Sequence, residues 1–131
     1  MSCPPVDITV TSFGYLHGEP PAAHLVVDLR HHFRDPHVNP ALRYLTARDQ
    51  EVRDAVAATP GITDLVTALA AAVTAFRSGP TTGPVTVAVG CAGGRHRAGA
   101  VARLLVQRLL ENPALTVDLV DRDLERPVVD R

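Results

Sequence analysis

Val85-Thr86-Val87-Ala88-Val89-Gly90-Cys91-Ala92-Gly93-Gly94-Arg95-His96-Arg97 joins the cleanest strand of the chain to a glycine-rich loop and then to a helix. The first five residues are β-branched or small and apolar, and glycines bound them on both sides, so they read as a buried strand. His96 to Leu110 follows as a helix that is apolar nearly all round, with Arg103, Gln107, Arg108 and Glu111 as its one polar stripe. Such a helix is expected to be buried against a sheet and a second surface, for instance another subunit. A strand feeding directly into a buried helix is the repeating step of an α/β domain.

The flanking segments continue that pattern. Ile8 to Phe13 alternates apolar and polar residues and predicts a strand, and His24 to Leu29 is a short apolar run that predicts another. Arg30 to Leu45 is a long irregular stretch broken at Pro36, Asn39 and Pro40. Thr46 is expected to open a helix, with Asp49 three residues later in the place of a capping-box acid and Val52 and Val56 as its apolar stripe. Beyond Pro60-Gly61, the residues Ile62, Leu65, Val66, Leu69, Val73 and Phe76 recur at helical spacing, with Phe76 assigned to the core. Leu115 to Val120 is the last strand, and the charged tail from Asp121 to Arg131 is expected to fray. The expected architecture is one α/β domain over residues 1–131, a three-layer sandwich with a mostly parallel sheet of about four strands and flanking helices. Residues 1–6 and 126–131 are expected to be flexible ends.

Composition narrows the function. A chain of 131 residues, 46% hydrophobic and 21% charged, can bury a core without disulfides. Its formal net charge of -1 gives no overall pull toward nucleic acid or an anionic membrane. Cys3 and Cys91 are too few for a disulfide scaffold, Met1 to Val6 carries no apolar leader, and no apolar run reaches the ~18 residues of a membrane span. A soluble cytoplasmic protein with no membrane partner is expected.

In parallel sheets ligands sit beyond the carboxyl ends of strands, here the loops after Phe13, Leu29 and Val89. Gly90, Gly93 and Gly94 let successive amides turn toward one anion, the following helix adds its positive end, and Arg95, His96 and Arg97 add side-chain charge. That combination predicts a phosphate site. Cys91, Gly94 and Arg97 also stand at the spacing of the phosphate cradle of cysteine-dependent phosphatases, in which a thiolate attacks phosphorus. Gly90 and Ala98 replace the His and the Ser or Thr of that pattern, and the general acid would have to be Asp28 or Asp35. Cys91, Arg97 and Asp28 are thus the catalytic candidates of an alternative, enzymatic reading. The long loop adds Arg30, His31, His32, Arg34, Asp35, His37, Arg43 and Arg48, which would close an anion pocket if they fold over Gly90. Asp28, His31, His32, Asp35 and His37 offer ligand types for Zn or Fe but not the spacing of a metal motif. No metal or other cofactor is expected.

Several blocks resemble one family in order. They are Thr11-Ser12-Phe13-Gly14-Tyr15, Val27-Asp28-Leu29-Arg30, Asp35-Pro36-His37, Leu42-Arg43-Tyr44-Leu45-Thr46 with Asp49, the loop Gly90 to Ala98, and Asp121-Arg122-Asp123-Leu124-Glu125. From about Ile8 to Glu125 they are similar to the C-terminal domain of the RapZ/YvcJ family, RNase adapter and nucleotide-binding proteins of bacteria. The resemblance implies an α/β domain that self-associates as a homodimer and binds small oxyanions and amino-sugar phosphate, and in enteric bacteria a small regulatory RNA. It carries ligand roles to Asp28, Arg30, His37, Arg43, Thr46, Cys91, Gly93, Gly94, His96 and Arg97, with Arg95 as the loop's basic residue. Leu16 stands where the family has a lysine, Ala92 where it has a threonine and Ala98 where it has a serine. The family's nucleotide loop Gly-x-x-x-x-Gly-Lys-Ser/Thr does not occur in these 131 residues, which contain no lysine. The expected role is therefore binding or sensing of a phosphorylated small molecule, a phosphosugar or nucleotide-type metabolite, by a stand-alone domain. An RNA-binding adapter domain, a regulatory-protein partner, and a phosphatase-like or transferase enzyme are the alternatives.

Overall fold

The computed structural model describes residues 5–128, so Cys3 and residues 129–131 lie outside the described residues. The strands are β1 (Ile8–Gly14), β2 (Leu25–Asp28), β3 (Val85–Cys91) and β4 (Val117–Asp121), and the helices are α1 (Gln50–Ala57), α2 (Ile62–Arg77) and α3 (Arg97–Leu109). All pairs are parallel in the order β2-β3-β1-β4. The register sets Gly14 opposite Cys91, Asp28 opposite Gly90 and Ser12 opposite Asp121, so every strand ends at the same edge.

Alternation along the strands sorts the layers. Ile8, Val10, Val87 and Val89 turn one way into the core, where α3 crosses β1, β3 and β4 with α1 and α2 packed beside it. Thr9, Thr11, Thr86 and Val26 turn the other way. That second face is crossed by Tyr15 to His24, the connection from β1 to β2: Phe13 and Tyr15 lie over Gly90, and His24 pairs with Thr86 through backbone and ring nitrogen. The result is a three-layer α/β sandwich whose third layer is thin and contains a single 3-10 turn, Tyr15–His17, in place of an α-helix. Within this chain the sheet, α1 and α2 cover most of the apolar circumference of α3.

Three local expectations are corrected. The segment after β4 does not fray at its start: Asp123 and Leu124 are 1% exposed, and Asp121 pairs with Arg103 at 2.8 Å. Leu124 enters the core beside Gly99, an apolar anchor in an otherwise charged run. Helix α1 begins at Gln50 with Asp49 as its cap, and Thr46 sits in the preceding turn, where its N–H donates to the Asp49 carboxylate at 2.9 Å. Phe76 lies in the last turn of α2, half exposed against His24, because the helix there runs past the edge of the core.

The connections position the site. β1 leaves for β2 across one face of the sheet, and β3 leaves for β4 through α3 on the other, so the adjacent ends of β1 and β3 form the switch point where open sheets take ligands. Main chain meets main chain there. A Cβ on Gly14 would lie 2.5 Å from the Gly93 carbonyl carbon, and Gly94 has φ +77°. Gly14→Ala is expected to lower stability by about 1–3 kcal/mol, the usual range for overpacking. Gly83→Ala, where a Cβ meets nothing within 4 Å, should change it by less than about 0.5 kcal/mol. Urea unfolding of both variants checks the contrast.

Candidate functional site

The loop between β3 and α3 is a hub for the segments around it. Leu16 donates its N–H to the Ala92 carbonyl at 3.0 Å, and Ala47 donates to the Arg95 carbonyl at 2.8 Å. On the far side, Gly14 donates to Asp123 at 2.8 Å, which keeps the end of β1 pressed against Gly93 and Gly94. Held this way, the loop leaves its own donors unused: among the described residues, the amides of Gly93, Gly94, Arg95 and His96 donate to no protein acceptor. They precede α3, a helix of 13 residues with no acidic side chain in its first turn. Unpaired amides and the positive end of a helix dipole coincide at this spot.

The basic side chains of the loop point elsewhere. Arg97 is 3% exposed and reaches under the long loop: its Nη1 donates to the carbonyls of Leu29 at 2.8 Å, Arg30 at 3.1 Å and Phe33 at 3.1 Å, and its Nη2 meets Asp35 at 3.2 Å. Arg95 donates to the carbonyls of Arg126 at 2.7 Å and Tyr44 at 2.8 Å. His96 is buried, facing the backbone of Leu42 and Leu45. Burial pushes its pKa down, against the pull of Asp35, which favours the neutral ring. Three consecutive basic residues thus fasten the long loop and the segment after β4 to the start of α3.

The remaining predicted residues lie at the end of β2 and on the segment between it and α1. Asp28 accepts from the backbone N–H, Nε and Nη2 of Arg30 at 2.9, 3.0 and 2.8 Å, and these bonds hold its pKa down to about 2. The Arg30 guanidinium lies 3.7 Å above the Tyr15 ring. Burial and the Asp28 charge push the Tyr15 hydroxyl pKa up. Arg43 donates to the His37 carbonyl at 2.9 Å, and Thr46 Oγ1 accepts from Arg48 N–H at 3.2 Å. The long loop borders a hollow of about 280 Å³ that includes Arg34, Asp35, Val38 and Leu42 in its lining, but no residue of Gly90 to Arg97. Its concave side therefore faces α1, away from the free amides.

Cys91 is buried at the end of β3, and its Sγ accepts the Ala98 N–H at 3.4 Å. The guanidinium that a thiol phosphatase would turn toward phosphate is here committed to the carbonyls of Leu29, Arg30 and Phe33. Asp28, the candidate acid, is bound bidentately by Arg30. His31 and His32 are exposed, and among the described residues no three His, Cys, Asp or Glu side chains converge as metal ligands would. Nor is any single helix among them long and apolar enough to cross a membrane. Asp123, absent from the sequence-based candidates, is the residue that fixes β1 against the loop. Its signal lay in the Asp121 to Glu125 block.

This arrangement of a glycine loop on a parallel four-stranded edge coincides with a family model for the RapZ C-terminal domain, which matches residues 6–125. The chain belongs to that family. Relatives include a nucleotide-binding protein of Kocuria rhizophila, 39% identical over 122 residues, covering 91% of this chain and 40% of the relative. A nucleotide-binding protein of Parafrankia sp. is 43% identical over 124 residues, covering 92% of this chain and 42% of the relative. A third, from Thermobifida fusca, is 40% identical over 120 residues, covering 89% and 40%. The chain thus spans about two fifths of the length of the curated relatives it matches.

Two outcomes follow from the ties. Arg97→Ala removes the donor shared by three carbonyls and the cation facing Asp35, and is expected to cost about 3–5 kcal/mol of stability, as for other buried pairs broken on one side. Arg97→Lys should recover little of this in chemical unfolding, because an ammonium lacks the planar fork. The Asp28 carboxyl should titrate by carbon NMR near pH 2 and move to about 4 in Arg30→Ala. A depressed carboxylate stabilises the fold above its unfolded pKa, so this contribution is lost as pH falls toward about 2.

Proposed function

We propose that this domain binds a small phosphate-bearing metabolite, of the phosphosugar or nucleotide type, with the phosphate on the amides of Gly93, Gly94, Arg95 and His96. The observation that carries the reading is the set of free loop amides at the start of α3, placed at the switch point between β1 and β3. Backbone donors fixed by the fold need little reorganisation to accept an anion, and the helix dipole favours negative charge at the same point. The cations of Arg95 and Arg97 would add positive potential at the loop while their Nη groups bond protein carbonyls. Asp28, Arg30, His37, Arg43 and Thr46 would read the rest of the ligand. Relatives bearing the name nucleotide-binding protein fit this class of ligand.

The charge distribution favours a small ligand over a polyanion. Arg30, Arg48, Arg77, Arg103, Arg108, Arg122 and Arg126 each pair with an Asp or Glu carboxylate. Binding along a nucleic acid backbone draws on many uncommitted cations releasing counterions, and such a surface is thinned here by ion pairing.

The test combines thermal unfolding with amide NMR at fixed ionic strength, using inorganic phosphate, ribose 5-phosphate and glucosamine 6-phosphate. A ligand at a hundredfold excess over Kd should stabilise the native state by about 2.7 kcal/mol and raise Tm. The accompanying shift changes should concentrate on the amides of Gly93 to His96. Changes confined to other surfaces, or no response to any of the three compounds, would contradict the reading.

A further inference from the structure

Tyr44 is the most exposed large hydrophobic side chain among the described residues, at 72%. Its ring is open to solvent, yet its backbone is fixed. The Tyr44 carbonyl accepts Arg95 Nη2 at 2.8 Å, the turn is closed by Leu45 N–H on the Leu42 carbonyl at 3.0 Å, and Ala47 N–H bonds the Arg95 carbonyl at 2.8 Å. Arg95 is itself part of the loop with the free amides, so one side chain links the ring's turn to the phosphate site. The other tyrosine is already occupied: the Tyr15 ring is covered by the Arg30 guanidinium at 3.7 Å and abuts Phe13 at 4.8 Å. One tyrosine is capped and the other is a bare aromatic platform on a rigid turn.

We propose that Tyr44 stacks the base of a nucleotide whose phosphate rests on Gly93 to His96, which makes the ligand class a nucleoside phosphate and Tyr44 its specificity-determining residue. The proposal rests on the phosphate site of the preceding subsection. A phosphosugar offers no flat π surface and would leave the ring in water, whereas every nucleobase presents one. An aromatic platform held still before binding also loses little conformational freedom when a base settles on it.

Isothermal titration with AMP and ribose 5-phosphate, on the wild type, Tyr44→Ala and Tyr44→Phe, tests this. The Tyr44 carbonyl, not its ring, holds the turn, so both variants should fold. In the wild type AMP should bind roughly fivefold or more tightly than ribose 5-phosphate. Tyr44→Ala should erase that preference while leaving ribose 5-phosphate unchanged, and Tyr44→Phe should keep it, since the ring and not the hydroxyl makes the contact. A 5′-phosphorylated oligoadenylate binding more tightly than AMP would assign the same stacking to an RNA end, and equal binding would assign it to the free nucleotide. Equal affinity of AMP and ribose 5-phosphate in the wild type, or a preference surviving in Tyr44→Ala, overturns the stacking proposal and leaves the phosphate site standing. Binding of neither compound overturns both.

Discussion

The buried guanidinium of Arg97 is the constraint on which the carboxyl edge of the sheet depends. A permanent positive charge taken out of water is tolerable only where dipoles and an opposite charge surround it. Leu29, Arg30 and Phe33 supply carbonyl oxygens and Asp35 supplies the carboxylate. Those four residues belong to one irregular stretch, so satisfying the charge and ordering the stretch are the same event. Arginine suits the role because its planar fork reaches several acceptors at once. The neighbouring side chains extend the tie, Arg95 to Tyr44 and Arg126 and His96 to the turn at Leu42 and Leu45.

Committing the side chains this way separates two roles that the loop would otherwise merge. Positive charge stays close to the glycines, while the backbone amides of Gly93 to His96 are left over as donors beside the buried Nε atoms of Arg95 and Arg97. Gly14 and Gly94 allow the main chains to touch, and Asp123 locks that contact from the segment after β4. In the proposed reading, anion affinity would come from the fold, with few mobile cations involved. A cysteine, a glycine and an arginine stand at phosphatase spacing, but the guanidinium bonds the carbonyls of Leu29, Arg30 and Phe33 in place of turning into the loop.

Much of this was legible in the residues, and what was not shares one physical cause. β3, its glycine loop and α3 follow from local pattern, as does α2, because period and punctuation are properties of neighbouring residues. β3 runs on to Cys91 and α3 starts at Arg97, small shifts of the kind that end fraying and pairing produce. The direction of the Arg97 side chain was not legible, since its partners lie more than sixty positions away in the chain. The same holds for Asp123, whose bond to Gly14 spans 109 positions, and for Leu124, which looks like one apolar residue in a charged tail until Gly99 makes room for it. Thr46 and Asp49 carried a correct signal with the roles displaced: the acid bonds the threonine amide, but the helix starts after it.

The central claim is that the loop binds an oxyanion through its amides while Arg97 stays on its carbonyls. A crystal structure of the chain soaked in tungstate tests both halves at once, since the anomalous signal of the metal locates the anion without ambiguity. Tungstate is expected within hydrogen-bonding distance of the amide nitrogens of Gly93 to His96, with the Arg97 guanidinium still on Leu29, Arg30 and Phe33. Tungstate bound elsewhere, or an Arg97 side chain swung into the loop to grip it, would contradict the account.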